Sequence, residues 1–350
     1  MNIPVPYQTQ PNTIYAWDAN TLTATMKACG MRVHTVVTSP PYFGLRDYGA
    51  DGQIGLEPTP DEYVRALVTV FRGVRDILRD DGTLWINIGD SYVSKATGWI
   101  GNNPIAVKTM GAAAKRPDKV GFGLAEKQLI GIPWRLAFAL QADGWYLRSD
   151  CIWHKPNPMP ESVTDRPTKA HEYVFLLSKK PDYYYDAAAI AEPMLTDDTS
   201  SPRGSHGVIG SPNKGRRMTG GNFSKRYADA QVNHGGESNR KVYTTRNKRS
   251  VWTVNTEPSP IPHFAMYPQK LIEPCILAGA PAGGIVFDPF MGGGTTALVA
   301  QRLGRQYIGA EINPENVEIA RYRVSGRIDE YLAKKRGEAF TTYMFGEQTA

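Results

Sequence analysis

The chain has 350 residues, 41% of them hydrophobic, which is enough for a sizeable α/β core with one smaller insertion. No apolar run is long enough to cross a bilayer, MNIPVPYQTQ lacks the basic-then-apolar pattern of a signal peptide, and Cys29, Cys151 and Cys275 lack metal-ligand spacing; a reducing cytoplasm without structural zinc is expected. The net charge of +6 is uneven: residues 201–250 hold eleven Lys/Arg against Asp229 and Glu237, so a compact basic segment sits on a slightly acidic body and suggests a polyanion partner.

Read in order, the chain alternates strands with helices. Thr13–Trp17 is a short apolar run ending at Asp18, and Val33–Val37 reads as a buried strand leading into Thr38-Ser39-Pro40-Pro41-Tyr42. Asp61–Arg79 has helical periodicity with acidic residues in its first turn, Asp81-Gly82 is a turn, and Thr83–Ile88 is a strand. Gln128–Ala142 is a helix stopped by Gly144; Trp145–Trp153 and His171–Ser178 are strands. Ser91–Gly123 and Glu192–Ser250 break the rhythm with long Gly- and cation-rich stretches: the first is a lid, a second DNA contact or a disordered insertion, the second a cationic binding segment or a solvated, partly disordered loop. Beyond Val251, Tyr267–Ala278 is a helix, Gly284–Phe287 a strand, Ala297–Leu303 a helix and Arg305–Ala310 a strand. A last helix starts at Pro314 and runs to about Lys335, ahead of a loose tail. This rhythm predicts a mostly parallel sheet with helices on both faces.

Two stretches carry chemistry. Asp288-Pro289-Phe290-Met291-Gly292-Gly293-Gly294-Thr295-Thr296 follows a strand and opens a helix, and Glu311 ends the next strand. Glycines allow tight turns and close approach, the helix N-terminus offers N–H donors, and the acid suits two ribose hydroxyls. With an acid at its head instead of G-x-G-x-x-G, the site fits a nucleoside bearing an amino-acid group better than a dinucleotide. Asp18 is either a hydrogen-bond partner for an adenine amino group or a helix cap. In Ser39-Pro40-Pro41-Tyr42 the prolines fix φ and remove donors, which frees the Pro40 carbonyl beside the Ser39 hydroxyl. Two such acceptors can hold an –NH₂ group and turn its lone pair toward a methyl donor, while Tyr42 offers a face for stacking a base. A rigid proline turn with a packed tyrosine is the plain structural alternative.

These stretches together resemble the DNA amino-methyltransferases of the circularly permuted β subgroup, in which a Ser/Asp-Pro-Pro-Tyr motif comes first and the cofactor motif last. The likeness runs from about Ile14 to Val324 and includes Trp153–Pro158, Asp165–Thr168 with His171-Glu172-Tyr173, and His263–Pro268. It implies a Rossmann-like S-adenosylmethionine-dependent methyltransferase fold with a seven-stranded sheet, one strand antiparallel. By the same resemblance, residues 1–191 are the catalytic half, 192–250 a target-recognition insertion, 251–335 the cofactor half and 336–350 a tail.

The resemblance assigns Ser39, Pro40, Pro41 and Tyr42 to a flipped-out base. Asp288, Phe290, Gly292 and Gly294 go to the cofactor's amino-acid end, Glu311 to the ribose and Asp18 to the adenine, with Tyr267, Thr295 and Asn313 also on the cofactor. Arg46, Lys155, Arg216, Arg217, Lys225, Arg226, Arg240 and Lys241 are the cations expected on double-stranded DNA. A homodimer and a cognate restriction endonuclease are further partners the resemblance brings in, in a bacterial or phage-encoded setting. Ser39 at the head of the motif favours N4 of cytosine, with N6 of adenine the alternative. Cytosine C5 chemistry needs a Pro-Cys nucleophile, and Pro274-Cys275 lies inside an expected helix; Glu315-Asn316-Val317 reads as helix capping. A dehydrogenase lacks its fingerprint, RNA or protein-glutamine transfer fits the motif order poorly, and a DNA-binding protein with a vestigial pocket is the reading from another class.

Overall fold

The alternation of strands and helices read from the sequence recurs in the structure, a computed structural model that describes residues 9–45, 50–94, 122–193, 244–257 and 266–337. In chain order these are β1 (Thr13–Tyr15), α1 (Ala19–Ala28), β2 (Val33–Thr38), α2 (Pro60–Ile77), β3 (Leu78–Ile88), α3 (Ile132–Ala142), β4 (Tyr146–His154) and β5 (His171–Ser178). Then come β6 (Glu192–Pro193), β7 (Thr245–Arg246), β8 (Val251–Thr253), α4 (Gln269–Gly279), β9 (Ile285–Asp288), α5 (Thr295–Arg302), β10 (Gln306–Ala310), α6 (Pro314–Val324) and α7 (Ile328–Arg336). Residues up to 190 and from 249 make one unit, and 191–248 a second. The described part of the second unit is the antiparallel β6–β7 pair, where Glu192 meets Arg246 and Lys248 at 3.6 and 3.5 Å.

In the first unit the sheet order is β1-β10-β9-β2-β3-β5-β4-β8. Only β5 runs against its neighbours. The sheet thus has eight strands instead of the seven expected; the addition is three-residue β8 at the edge. Alternation along β3 sends Leu84, Ile86 and Ile88 into a core under α1, α2 and α3, and Trp85 into a second core under α4, α5 and α6. Helix α2 shows why such elements form. Thr59 caps it through the Glu62 N–H at 3.2 Å, Pro60 starts it, and Tyr63, Leu67, Val70, Val74 and Ile77 bury one face. Each such side chain contributes about 1.5–3 kcal/mol by leaving water. The connection from β9 to β10 leads one way along the sheet and that from β2 to β3 the other, so the strand order reverses between β9 and β2. In open α/β sheets, ligands bind beyond the strand ends at such a reversal.

Three expectations change. Asp81-Gly82 is no turn: β3 runs through it, and its register with β2 shifts between Val33↔Leu78 and Thr35↔Thr83. There Lys179 and Lys180 hold Asp80 at 3.1 and 2.8 Å, and their hydrogen bonds pull its carboxyl down to about 2. The expected last helix is two, because Gly326, at φ +71°, ends α6 in a left-handed turn. Helix α3 starts at Ile132, not Gln128, after Gly131 at φ +80° and with Pro133 in its first turn.

Candidate active site

The glycine turn follows β9. Gly292 and Gly294 have φ of +52° and +83°, and α5 begins at Gly294 with no side chain capping it. A Cβ on Gly294 would stand 2.7 Å from the Ala320 Cβ of α6, so this glycine serves helix packing as well as the turn. Glu311, at the end of β10, accepts from the Gly292 N–H at 2.8 Å, the Asn313 N–H at 2.9 Å and Asn316 Nδ2 at 3.3 Å. Burial raises its carboxyl above the usual range, against those three donors. Asp288 is deeper, at 1% exposure. It accepts from Thr38 Oγ1 (2.6 Å), Thr296 Oγ1 (2.5 Å), the Phe290 N–H (2.9 Å) and the Tyr267 hydroxyl (3.2 Å). Burial raises this carboxyl too, and the four donors offset part of the rise. Arg323 reaches the Gly293 carbonyl and Thr295 Oγ1 from α6 and so braces the turn from behind.

The Ser-Pro-Pro-Tyr turn leaves the next strand at the same end. Val36 of β2 pairs with Phe287 of β9, and the Thr38–Asp288 bond ties the two turns together. The Tyr63 hydroxyl holds the Pro41 carbonyl at 2.7 Å. The Tyr42 hydroxyl donates to Glu172 Oε2 at 2.6 Å and lies 3.4 Å from Asn87 Oδ1. Lys155 Nζ meets Glu172 Oε1 at 2.5 Å and stands 4.2 Å over the Trp153 ring. Burial first, then the Glu172 charge, pushes the Tyr42 phenol well above its ordinary value.

The family model described as DNA methylase matches residues 33–322, most of the chain. The chain belongs to the DNA methylase family. Type II methyltransferase M.Cfr9I of Citrobacter freundii is 44% identical to this methylase over 92% of the chain and 90% of its own length. M.SmaI of Serratia marcescens is 46% identical over 83% and 84%. Among solved structures, the cytosine-N4-specific PvuII DNA methyltransferase has a TM-score of 0.56 at 18% identity, with 95% of each chain covered. A putative DNA modification methylase from Thermus thermophilus, solved with S-adenosyl-L-methionine, has a TM-score of 0.50 at 21% identity, covering 90% and 95%. At these identities the likeness is one of fold, a Rossmann-like α/β sheet.

The methylase brings the residues singled out in its two motifs to one rim. Ser39, Pro40, Pro41 and Tyr42 lie in one turn; Asp288, Phe290, Gly292, Gly294 and Thr295 lie in its neighbour, with Tyr267 and Glu311 bonded into it and Asn313 capping α6. Asp18 is the exposed N-cap of α1 and accepts from the Asn20 and Thr21 N–H groups at 3.0 Å each. Of the expected phosphate contacts, Lys155 is 18% exposed and paired with Glu172 inside the protein. Arg46, Arg216, Arg217, Lys225, Arg226, Arg240 and Lys241 fall outside the described residues, as does most of the Ser91–Gly123 stretch. Cys275 is buried within α4, its thiol 3.9 Å from the Leu271 carbonyl, which argues against a C5 nucleophile. Sequence reasoning missed Thr38, Asn87, Glu172 and Arg323 as site residues. A lone Asn in the apolar run Leu84–Ile88, and a Glu opening the run Tyr173–Leu177, were the available signals.

Proposed function

We propose that this methylase transfers a methyl group to the N4 amino group of a cytosine flipped out of double-stranded DNA. The cofactor is S-adenosylmethionine, whose sulfonium supplies the methyl group. The residues fit it: α5 begins without a side-chain cap behind two glycines of positive φ, and Glu311 keeps lone pairs for ribose hydroxyls beyond its three internal donors. Asp18 accepts from the adenine amino group, and Tyr267, Phe290, Thr295 and Asn313 line the amino-acid and ribose sides. Asp288, saturated by internal donors, holds the two turns at a fixed separation. Ser39 and the Pro40 carbonyl accept the amine hydrogens, Pro41 stiffens the turn, and Tyr42 stacks the base. Rate then comes from aligning the amine with the methyl group, not from a covalent intermediate. The 192–250 segment reads the target, with Arg216, Arg217, Lys225, Arg226, Arg240 and Lys241, together with Arg46, on phosphates.

The observation that supports this reading is the Thr38–Asp288 bond at the reversal of strand order, which sets the Ser-Pro-Pro-Tyr turn beside the glycine turn. Ser39 favours cytosine over adenine. Incubation of duplex DNA with radiolabelled cofactor, followed by digestion and nucleoside chromatography, tests it. Label in N4-methylcytosine is expected. Label in N6-methyladenine would overturn the base, and label only in RNA or protein would overturn the DNA substrate.

A further inference from the structure

Resting on the reading that Tyr42 stacks the target base, we propose that Glu172 is a positioning residue that fixes the Tyr42 ring in its stacking orientation. Glu172 is the second residue of the one antiparallel strand, so it arrives at the rim where β2, β3 and β9 end. Both of its carboxylate oxygens are engaged. Oε2 takes the Tyr42 hydroxyl at 2.6 Å and Asn87 Nδ2 at 3.1 Å, and Oε1 takes Lys155 Nζ at 2.5 Å.

The ring is confined from its edge as well. A Cβ on Gly89 would come within 2.7 Å of Tyr42 Cε2 and 3.3 Å of Glu172 Cδ, so the backbone just after β3 lies directly against both side chains. A tyrosine on a loop ordinarily turns about χ1 and χ2. Here the hydroxyl is pinned by a charge-assisted bond, and the charge that pins it is itself neutralised by Lys155, with the Glu172 and Lys155 side chains 14% and 18% exposed.

The test uses single-turnover transfer on duplex DNA with the full chain, alongside cofactor affinity and melting temperature. Tyr42→Phe keeps the ring and removes the bond; Glu172→Ala removes the acceptor. Each is expected to slow the transfer step roughly ten- to hundredfold, the worth of a hydrogen bond to a charged group, with cofactor affinity unchanged. The double variant is expected to be no slower than the worse single, since both cut the same bond. A wild-type rate in Glu172→Ala, or losses that multiply, would overturn the proposal. If Glu172→Ala does not fold, Tyr42→Phe decides alone, because it disturbs no charge. Tyr42→Ala separates the two levels. A dead Tyr42→Ala with normal Tyr42→Phe and Glu172→Ala removes the clamp only, whereas a fully active Tyr42→Ala removes both the clamp and the stacking role.

Discussion

The glycine turn after β9 and the Ser-Pro-Pro-Tyr turn after β2 leave adjacent strands at one rim, yet they are held by different means. The first is held by groups close in the chain: Asp288 takes the Phe290 N–H, Glu311 takes the Gly292 N–H, and Ala320 fills the space beside Gly294. The second is held partly from α2, by the Tyr63 hydroxyl on the Pro41 carbonyl, and partly from afar: Thr38 reaches Asp288 across 250 residues, and Tyr42 reaches Glu172 across 130. The difference follows from what each presents. Backbone N–H groups are aimed by the local path of the chain, and glycines with a nearby acid suffice to set that path. A ring, a hydroxyl and a carbonyl, as the Ser-Pro-Pro-Tyr turn presents them, are aimed in space by side chains from other elements.

Variants that break one turn and spare the other sharpen this contrast, and those with the largest effects come first. Tyr42→Ala is expected to cut turnover about a hundredfold or more through lost base stacking, while calorimetry still finds cofactor bound with wild-type affinity. Asp288→Ala should fail on both sides. It strands the buried Thr38 and Phe290 donors, while Thr296 keeps the Val37 carbonyl and Tyr267 keeps the Thr296 hydroxyl; the cost should be about 3 kcal/mol in denaturant unfolding, with cofactor binding and transfer loosened together. Survival of either function at full strength would mean that the turns are not coupled through this carboxylate.

Gly294→Ala is expected to destabilise by about 2 kcal/mol, from its left-handed φ and the Ala320 contact, and to weaken cofactor binding without changing the single-turnover rate at saturating cofactor. Glu311→Gln should weaken the cofactor about tenfold. Because burial raises the Glu311 pKa, cofactor affinity of the wild type should be full above that raised value and fall as pH descends through it. In Glu311→Gln the same titration should be flat. The sign for folding is opposite: the raised value favours the native state at low pH, and that contribution is lost as pH rises through it. Asp18→Ala is the mildest, costing about 1 kcal/mol as a lost helix cap, and an unchanged cofactor affinity would leave it as a cap alone.

The same division explains what can be read in the sequence. The β9–α5–β10 segment with Glu311 is legible because turn, helix start and acid are neighbours in the chain, and period alone marks α2 and β5. Helix α1 is not legible: its stretch Ala19–Ala28 is rich in Thr and Asn, and it is set by the Asp18 cap and by burial of Leu22 and Met26. The continuity of β3 through Asp81-Gly82 rests on its pairing with β2 on both sides of a register shift, Val33 with Leu78 and Thr35 with Thr83, which no local signal in the sequence marks. Lys155 reads as a phosphate ligand because a lone lysine carries no local sign of its partner; only the β4–β5 pairing brings it to Glu172.

The inverted direction of β5 has a consequence for how this rim can change. Tyr173, Phe175 and Leu177 face one core and Val174 and Leu176 the other, so a slip of a single position would turn both sets inside out. The carboxylate beside Tyr42 is therefore locked in step with the hydrophobic interior. Between Lys155, whose N–H reaches the Ala170 carbonyl, and Ala170 itself, residues 156–169 add no side chain to either core, so extra or missing residues there would leave Glu172 where it stands.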